Sequence, residues 1–361
     1  MENLIVQGAP NAYICETGAL SRLEAHLTAL NYKTVLVIHG KKSWESASPY
    51  FPSFEQIDAV FIQYGGECSL AEIERIALRA GQADAIIGIG GGKILDLAKA
   101  AARVAGKETV LIPTVASNCA AWTPLSVIYD AGKYVRFDIH PKNASLVLLE
   151  PDILLRAPEE MLAAGIGDTI AKWYESDVQF RKLDTFTAPV TIARFAAKLC
   201  YDELLVHGEA AMAAARQKEL NDSFIKTAET IIMTAGMVGG FSDPSRIVAA
   251  AHAIHNGLTA LDETHHVQHG AKVAYGILIQ LVLEDRWDEA GKLAGYFRQI
   301  GLPTSLRDLG IGTVTEESLQ PVAEKATAKN ETIHNLRKDG VTAREVLHAM
   351  LTYEKYTALV G

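Results

Sequence analysis

Five of the eleven histidines fall within eighteen consecutive residues. His252 and His255 stand three apart in AAAHAIHNGL (249–258), on one helix face. His265, His266 and His269 follow in THHVQHG (264–270). Upstream, AAGIGDTIAKW (163–173) sets Asp168 behind a pair of glycines in an otherwise apolar helical stretch. A single helical histidine is more often packed or capping. This density, with a carboxylate in apolar surroundings, points instead to a divalent metal. One carboxylate and two imidazoles suit zinc or ferrous iron and leave a position open for substrate. Spacing alone leaves open which histidines ligate.

A second group has the chemistry of nucleotide binding. GIGGGK (88–93) lies where an apolar run turns into a helical pattern. Gly90, Gly91 and Gly92 would let the backbone approach a phosphate, the helix N-terminus offers free N–H groups, and Lys93 adds a charge. The segment is not a GxGxxG fingerprint, and a tight strand–helix turn would look the same. Asp96 and Lys99 follow at i+3 spacing and could pair on the helix face, or Asp96 could help cap the first turn. The polar stretch PTVASNCAAWTPLSVIY (113–129) comes after a strand and brings Thr114, Ser117 and Thr123, whose hydroxyls suit phosphate, ribose or carboxamide; by composition it could equally be a plain loop.

These residues need elements to position them. Up to about residue 155, short β-branched runs alternate with helical patterns. TVLVIHG (34–40), AVFIQYGG (59–66), DAIIGIGGG (84–92), TVLIPTVAS (109–117) and SLVLLEP (145–151) read as strands; 70–81 and 93–106 read as helices ending in glycine. This alternation implies a parallel sheet, and the continuous apolar strands imply burial on both faces. Beyond residue 158 strand signals fade, and 158–180, 187–215, 219–238, 244–260, 270–300 and 343–358 read as helices. The expected organisation is an α/β nucleotide-binding domain over 1–157, a Rossmann-like parallel sheet, and an all-helical metal-binding domain over 158–361. The ligand site is expected in the cleft between them.

Composition narrows the function. The chain has 361 residues, 49% hydrophobic and 21% charged, with net charge -9. Nothing suggests a basic nucleic-acid-binding face, and no apolar run is long enough to span a membrane. The start, MENLIVQGAPNAYICETG, lacks the basic-then-apolar pattern of a signal peptide. Four scattered cysteines (Cys15, Cys68, Cys119, Cys200), with no CxxC pair, argue against a thiolate zinc site or a disulfide framework. A cytoplasmic homo-oligomer with a small-molecule substrate is expected.

GIGGGKILDLAKA, IPTVASNCAAWTPLSVIY, AAGIGDTIAKWYE, AAHAIHNGLTAL and HGAKVAYG resemble, in order, marker segments of the glycerol dehydrogenase group in the iron-containing alcohol dehydrogenase superfamily. ETIHN (331–335) is similar to its C-terminal marker. The resemblance covers nearly the whole chain. It implies a dehydroquinate synthase-like architecture with Asp168, His252 and His269 as metal ligands. It also implies Gly92, Lys93, Thr114, Ser117, Thr123, Leu125 and Tyr129 at the nucleotide, with His255 near the substrate.

Three departures bear on specificity. Iron-type relatives carry a further histidine ligand four residues after the aspartate, where this chain has Lys172. A protonated ammonium cannot ligate, so three protein ligands remain, which favours zinc over iron. Zinc-type glycerol dehydrogenases place an aspartate beside the polyol; here the position holds Cys119. They also carry an aspartate after an early strand that grips the adenosine ribose; here it is Gly40, followed by Lys41 and Lys42. The lost carboxylate and added lysines favour NADPH over NADH. CAAWTPLSVIY with GDTIAKWYE resembles the hydroxycarboxylate dehydrogenase branch, which reduces 2-oxo acids. The implied reaction is hydride transfer between nicotinamide and a small 2-oxo or 2-hydroxy acid, with roles for His255, Lys172 and Cys119. Competing readings are a polyol dehydrogenase acting on glycerol, a dehydroquinate-synthase-like lyase, a ferrous oxygenase, and a non-catalytic binding protein.

Overall fold

The computed structural model describes residues 4–242 and 247–360. Six strands form one parallel sheet: β1 (Tyr13–Cys15), β2 (Thr34–His39), β3 (Asp58–Gln63), β4 (Ala85–Gly90), β5 (Glu108–Pro113) and β8 (Leu146–Leu149). Their spatial order is β1-β8-β5-β4-β2-β3. Helices α1 (Leu23–Ala29), α2 (Lys41–Ala47), α3 (Leu70–Ala80), α4 (Gly92–Ala105) and α5 (Pro151–Arg156) connect and cover it. Side-chain alternation explains why the strands read as unbroken apolar runs. Leu36, Ile38, Ile86, Leu111, Val147 and Leu149 share one core with α3 and α4. Val35, Val37, Ile87, Ile89, Val110 and Leu148 fill a second, with Leu23, Leu27 and Ala47 from α1 and α2.

The strand order places a ligand crevice. From β2 the chain moves outward to β3, returns to β4, and then moves the other way to β5. The order therefore reverses between β2 and β4, and open α/β sheets bind ligands outside the strand ends at such a point. Gly40 follows β2 there and Gly91 follows β4.

The segment after β5 differs from its reading as a loop. Its end, Leu125–Asp130, is strand β6, which pairs antiparallel with β7 (Lys133–Ile139). Ala131 and Gly132 both adopt positive φ in the connecting turn, the geometry that matches hairpin twist.

Beyond residue 158 the described chain is helical: α6 (Glu159–Phe180), α7 (Ala188–Gln217), α8 (Asp222–Glu229), α9 (Ala235–Gly240), α10 (Ala250–Leu258), α11 (His269–Leu283), α12 (Trp287–Ile300), α13 (Glu316–Ala326) and α14 (Ala343–Val360). The expected 219–238 helix is two, α8 and α9, joined through a π-helical turn at Thr230–Thr234. The expected 270–300 helix breaks at Asp285, which takes positive φ between α11 and α12. Helix α10 begins at Ala250; residues 244–246 of the expected 244–260 helix lie outside the described residues. Among the described residues no helix is long and apolar enough to cross a membrane.

Candidate metal centre and nucleotide cleft

Three helices bring the metal candidates together. Asp168 lies mid-way along α6, His252 is the third residue of α10, and His269 is the first of α11. One ligand atom from each lies within 4.8 Å of the others. His252 Nε2 and His269 Nε2 each stand 3.3 Å from Asp168 Oδ1. That oxygen is buried and has no hydrogen-bond partner. The close approach of α6 and α11 depends on glycine, since a β-carbon at Gly167 would lie 2.7 Å from the Gly270 carbonyl oxygen.

Glu175 completes the arrangement, in a role beside His252 that the sequence alone does not assign. Its Oε2 accepts from His252 Nδ1 at 2.5 Å. Its Oε1 accepts the backbone N–H groups of Ala249 and His252 at 2.9 and 3.0 Å. Gln280 Oε1 accepts those of Ala250 and Ala251. These two side chains satisfy donors at the buried start of α10 that would otherwise be orphaned. The bond to Glu175 places the His252 proton on Nδ1 and leaves Nε2 facing Asp168. The signal available was spacing: Glu175 is seven residues after Asp168, two turns along the same face. Glu175 thus serves the start of α10.

The electrostatics are those of a cation site. Burial opposes ionisation of Asp168, but the adjacent His252 and His269 rings and the Lys172 ammonium outweigh it and hold the carboxyl well below its ordinary range. Burial also works against the His252 imidazolium, yet Glu175 and Asp168 push it up to about 10. An orphaned carboxylate oxygen beside two ring nitrogens, one oriented by a further carboxylate, fits a divalent metal.

His255 is not in that ligand cluster. Its Nε2 lies 3.0 Å from His269 Nδ1, and its Nδ1 lies 3.1 Å from Asn256 Oδ1. Burial, then the neighbouring His269, keep its pKa well below the usual imidazole range. His265 is exposed, and His266 lies by Gly310. Lys172 is partly buried; burial disfavours its ammonium, but the Asp168 and Glu175 carboxylates outweigh this and hold its pKa above the ordinary range. Burial pushes the Cys119 thiol up, so it is neutral.

Several of the nucleotide candidates gather just beyond the C-terminal ends of β2, β4 and β5. Gly91 is the N-cap of α4, and Gly92 and Lys93 form its first turn. A β-carbon at Gly90 or at Gly40 would meet Ile94, so the two glycine turns share one neighbour. Gly40 caps α2, which starts at Lys41; Ser43 Oγ accepts from Gly40 N–H and donates to the Ile89 carbonyl. Thr114 donates its N–H to the Gly90 carbonyl. Lys93 Nζ lies 5.1 Å from the Tyr129 ring centroid. The Asn118 amide abuts Gly92 at the start of α4, while the Ser117 backbone packs against Gly165 of α6. The buried Lys99 pairs with Asp96 at 2.9 Å and donates to the carbonyls of Ala120, Thr123 and Leu125. The Asp96–Lys99 pair is therefore also a staple for the loop carrying Cys119 and Thr123.

A two-domain architecture with a crevice at the sheet's switch point and a facing carboxylate–histidine cluster defines a class of enzyme. The family model for iron-containing alcohol dehydrogenase matches residues 10–151. Hydroxycarboxylate dehydrogenase A of Escherichia coli (strain K12) is 38% identical over 335 residues, 92% of each chain. The chain belongs to the iron-containing alcohol dehydrogenase family, one of metal-dependent, NAD-linked oxidoreductases. Within it the chain is glycerol dehydrogenase-like. The glycerol dehydrogenase of Thermotoga maritima is 37% identical over 358 residues, 96% of each chain. The crystal structure of glycerol dehydrogenase from Schizosaccharomyces pombe superposes with TM-score 0.86 at 28% identity, covering 99% of this chain and 92% of that one.

Proposed function

We propose that the protein reduces small 2-oxo acids to 2-hydroxy acids, with NADPH preferred over NADH and zinc over iron. The observation that carries this is the charge around Lys172. Asp168 and Glu175 bring two negative charges, a divalent cation cancels them, and the Lys172 ammonium is surplus. Such a site favours an anion. An aspartate at position 119 would oppose it by about 3 kcal/mol, taking two like charges ~6 Å apart at an effective dielectric of ~20. The neutral Cys119 thiol does not. The name of the Escherichia coli relative points the same way.

When bound, the metal supplies Lewis acidity that polarises a carbonyl, and the nicotinamide supplies hydride. The remaining work belongs to the chain. Asp168, His252 and His269 hold the metal, and Glu175 fixes the His252 ring. Gly90, Gly91, Gly92 and Lys93 receive the pyrophosphate at the start of α4, with Thr114, Ser117, Thr123, Leu125 and Tyr129 around the nucleotide. Gly40 and Lys41 accommodate a 2′-phosphate. Lys172 pairs with the substrate carboxylate. With both ring nitrogens engaged, His255 holds His269 rather than delivering a proton. The domain division at 157/158 separates the sheet with α5 from the helices beginning at α6. We further assign the protein to the cytoplasm as a homo-oligomer; four free thiols and the exposed apolar side chains Ile192, Phe195, Leu199 and Val206 on α7 support this.

A second reading, oxidation of glycerol or another polyol, is favoured by the names of the Thermotoga and Schizosaccharomyces relatives. Comparing kcat/KM for 2-oxobutanoate and 2-oxoglutarate with NADPH against glycerol with NAD+ and NADP+ separates the two. Lys172→Met is expected to raise KM for the oxo acid more than for an uncharged ketone. Efficient glycerol oxidation with no turnover of either oxo acid would establish the polyol reading.

A further inference from the structure

A line of hydrogen bonds leads away from the metal cluster to a residue no part of the mechanism has used. His269 Nδ1 lies 3.0 Å from His255 Nε2. His255 Nδ1 lies 3.1 Å from Asn256 Oδ1. Asn256 Nδ2 donates to both oxygens of Glu331, at 3.2 and 3.1 Å. Glu331 opens a 3-10 turn, Thr332–Leu336, that is tied to the start of α10: Thr332 Oγ1 donates to the Ala249 carbonyl and Asn335 Nδ2 to that of Val248. The carboxylate is thus held in place by the backbone leading into α10, the helix that carries His252 and His255.

Donor and acceptor chemistry gives this line a direction. An ionised carboxylate can only accept, so Asn256 must turn its NH2 toward Glu331. Its carbonyl oxygen then faces His255 and requires Nδ1–H there. The 3.0 Å contact between the rings needs one donor and one acceptor, and with the His255 proton committed to Nδ1 its Nε2 is the acceptor. His269 must therefore donate from Nδ1, which leaves its Nε2 lone pair facing Asp168 Oδ1. Rotating the Asn256 amide by half a turn would set two acceptors, its oxygen and the carboxylate, against each other.

We propose that Glu331 is a positioning residue for the metal centre, acting through Asn256 and His255 to fix the ring orientation and tautomer of His269. It mirrors Glu175, which does the same for His252 by direct contact. One histidine is thereby set by an adjacent carboxylate and the other by a carboxylate two residues removed. The inference rests on Asp168, His252 and His269 holding a metal, as proposed above.

The test is Co2+ binding to the metal-depleted full chain, followed by visible absorption with substrate and nucleotide absent. Outer-sphere partners of metal-ligating histidines are worth about 10–100-fold in affinity. Glu331→Ala and Asn256→Leu should each weaken Co2+ by about tenfold, the low end for a remote partner, with an altered absorption band. Glu331→Gln keeps an acceptor oxygen for Asn256 and should stay within about threefold of wild type. Because the residues act in series, the double variant Glu331→Ala/Asn256→Leu should be no worse than either single by more than about twofold. Unchanged Co2+ affinity in the singles, losses that multiply in the double variant, or a Glu331→Gln as weak as Glu331→Ala would each overturn the proposal. If Glu331→Ala does not fold, the contrast between a weakened Asn256→Leu and a near-wild-type Glu331→Gln carries the test. Wild-type protein that takes up no Co2+ removes the metal reading, and this inference with it. Tight wild-type binding with unaffected variants removes this inference alone.

Discussion

Replacing Gly167 by alanine sets stability against function in a measurable way. Gly167 precedes Asp168 and faces α11. A β-carbon there would lie 2.7 Å from the Gly270 carbonyl oxygen and 3.0 Å from Ala274 Cβ. A relaxed carbon–oxygen contact is about 3.3 Å, so α6 and α11 must separate by ~0.6 Å. Metal–ligand distances tolerate only about 0.2 Å, so the shift is roughly three times what the site can absorb. The effect on folding is small. Alanine in place of a helical glycine gains about 1 kcal/mol, against about 1–3 kcal/mol lost to overpacking. We expect Gly167→Ala to unfold within a few degrees of wild type while binding metal at least about tenfold more weakly, a loss comparable to removing an outer-sphere partner. Thermal unfolding of the metal-depleted protein, with chelator competition on the loaded protein, gives both numbers. Wild-type metal affinity in the variant would refute the claim that this helix spacing sets the ligand geometry. A large loss of stability would refute the balance of terms.

Three further outcomes follow from the same geometry. Glu175→Gln should weaken metal binding by about 10–100-fold, seen by elemental analysis after dialysis; full retention would remove its role in orienting His252. Lys99→Met leaves the buried Asp96 carboxylate without its ammonium partner, which should cost about 3–5 kcal/mol in urea unfolding, and a cost below about 1 kcal/mol would mean that water replaces the ammonium. Gly40→Asp should move the kcat/KM ratio toward NADH, with Gly40→Ala as the steric control because a β-carbon there already lies 3.1 Å from Ile94 Cδ1; a wild-type preference for NADH would refute the underlying charge argument.

Five of the six sheet strands were legible because each is an apolar run stopped by glycine or a polar turn, a pattern carried within a single segment; the three-residue edge strand β1 was too short to show one. The β6–β7 hairpin was not. Its second strand exposes Tyr134, Val135, Phe137 and Ile139, so no clean alternation of apolar and polar faces marks it. Its turn signal, two residues at positive φ, lies in an Ala-Gly pair rather than Asn-Gly. The break between α11 and α12 was hidden because apolar periodicity continues on both sides and Asp285, not glycine, makes the turn. Pro321 inside α13 concealed that helix. At the site, residue types and density pointed to Asp168 and the histidine group, because a carboxylate in an apolar helix is conspicuous. Glu175 and Glu331 escaped because their partners lie 74–77 and 75 positions away in the chain, and pairings of that span exist only once the helices have packed.

The Lys99 staple has a thermodynamic consequence for nucleotide capture. From within the core of α4 its ammonium gathers the carbonyls of Ala120 and Thr123 in the loop between β5 and β6 and of Leu125 at the start of β6. That loop is therefore ordered when the domain folds, and its loss of conformational freedom is incurred then rather than on binding. Ordering a flexible side chain or loop residue at the moment of association costs about 0.5–1.5 kcal/mol each. A crevice wall already fixed avoids that term, so its affinity reflects contacts more than rearrangement. The heat capacity change on nucleotide binding should then match the apolar area covered, without the excess that coupled folding adds.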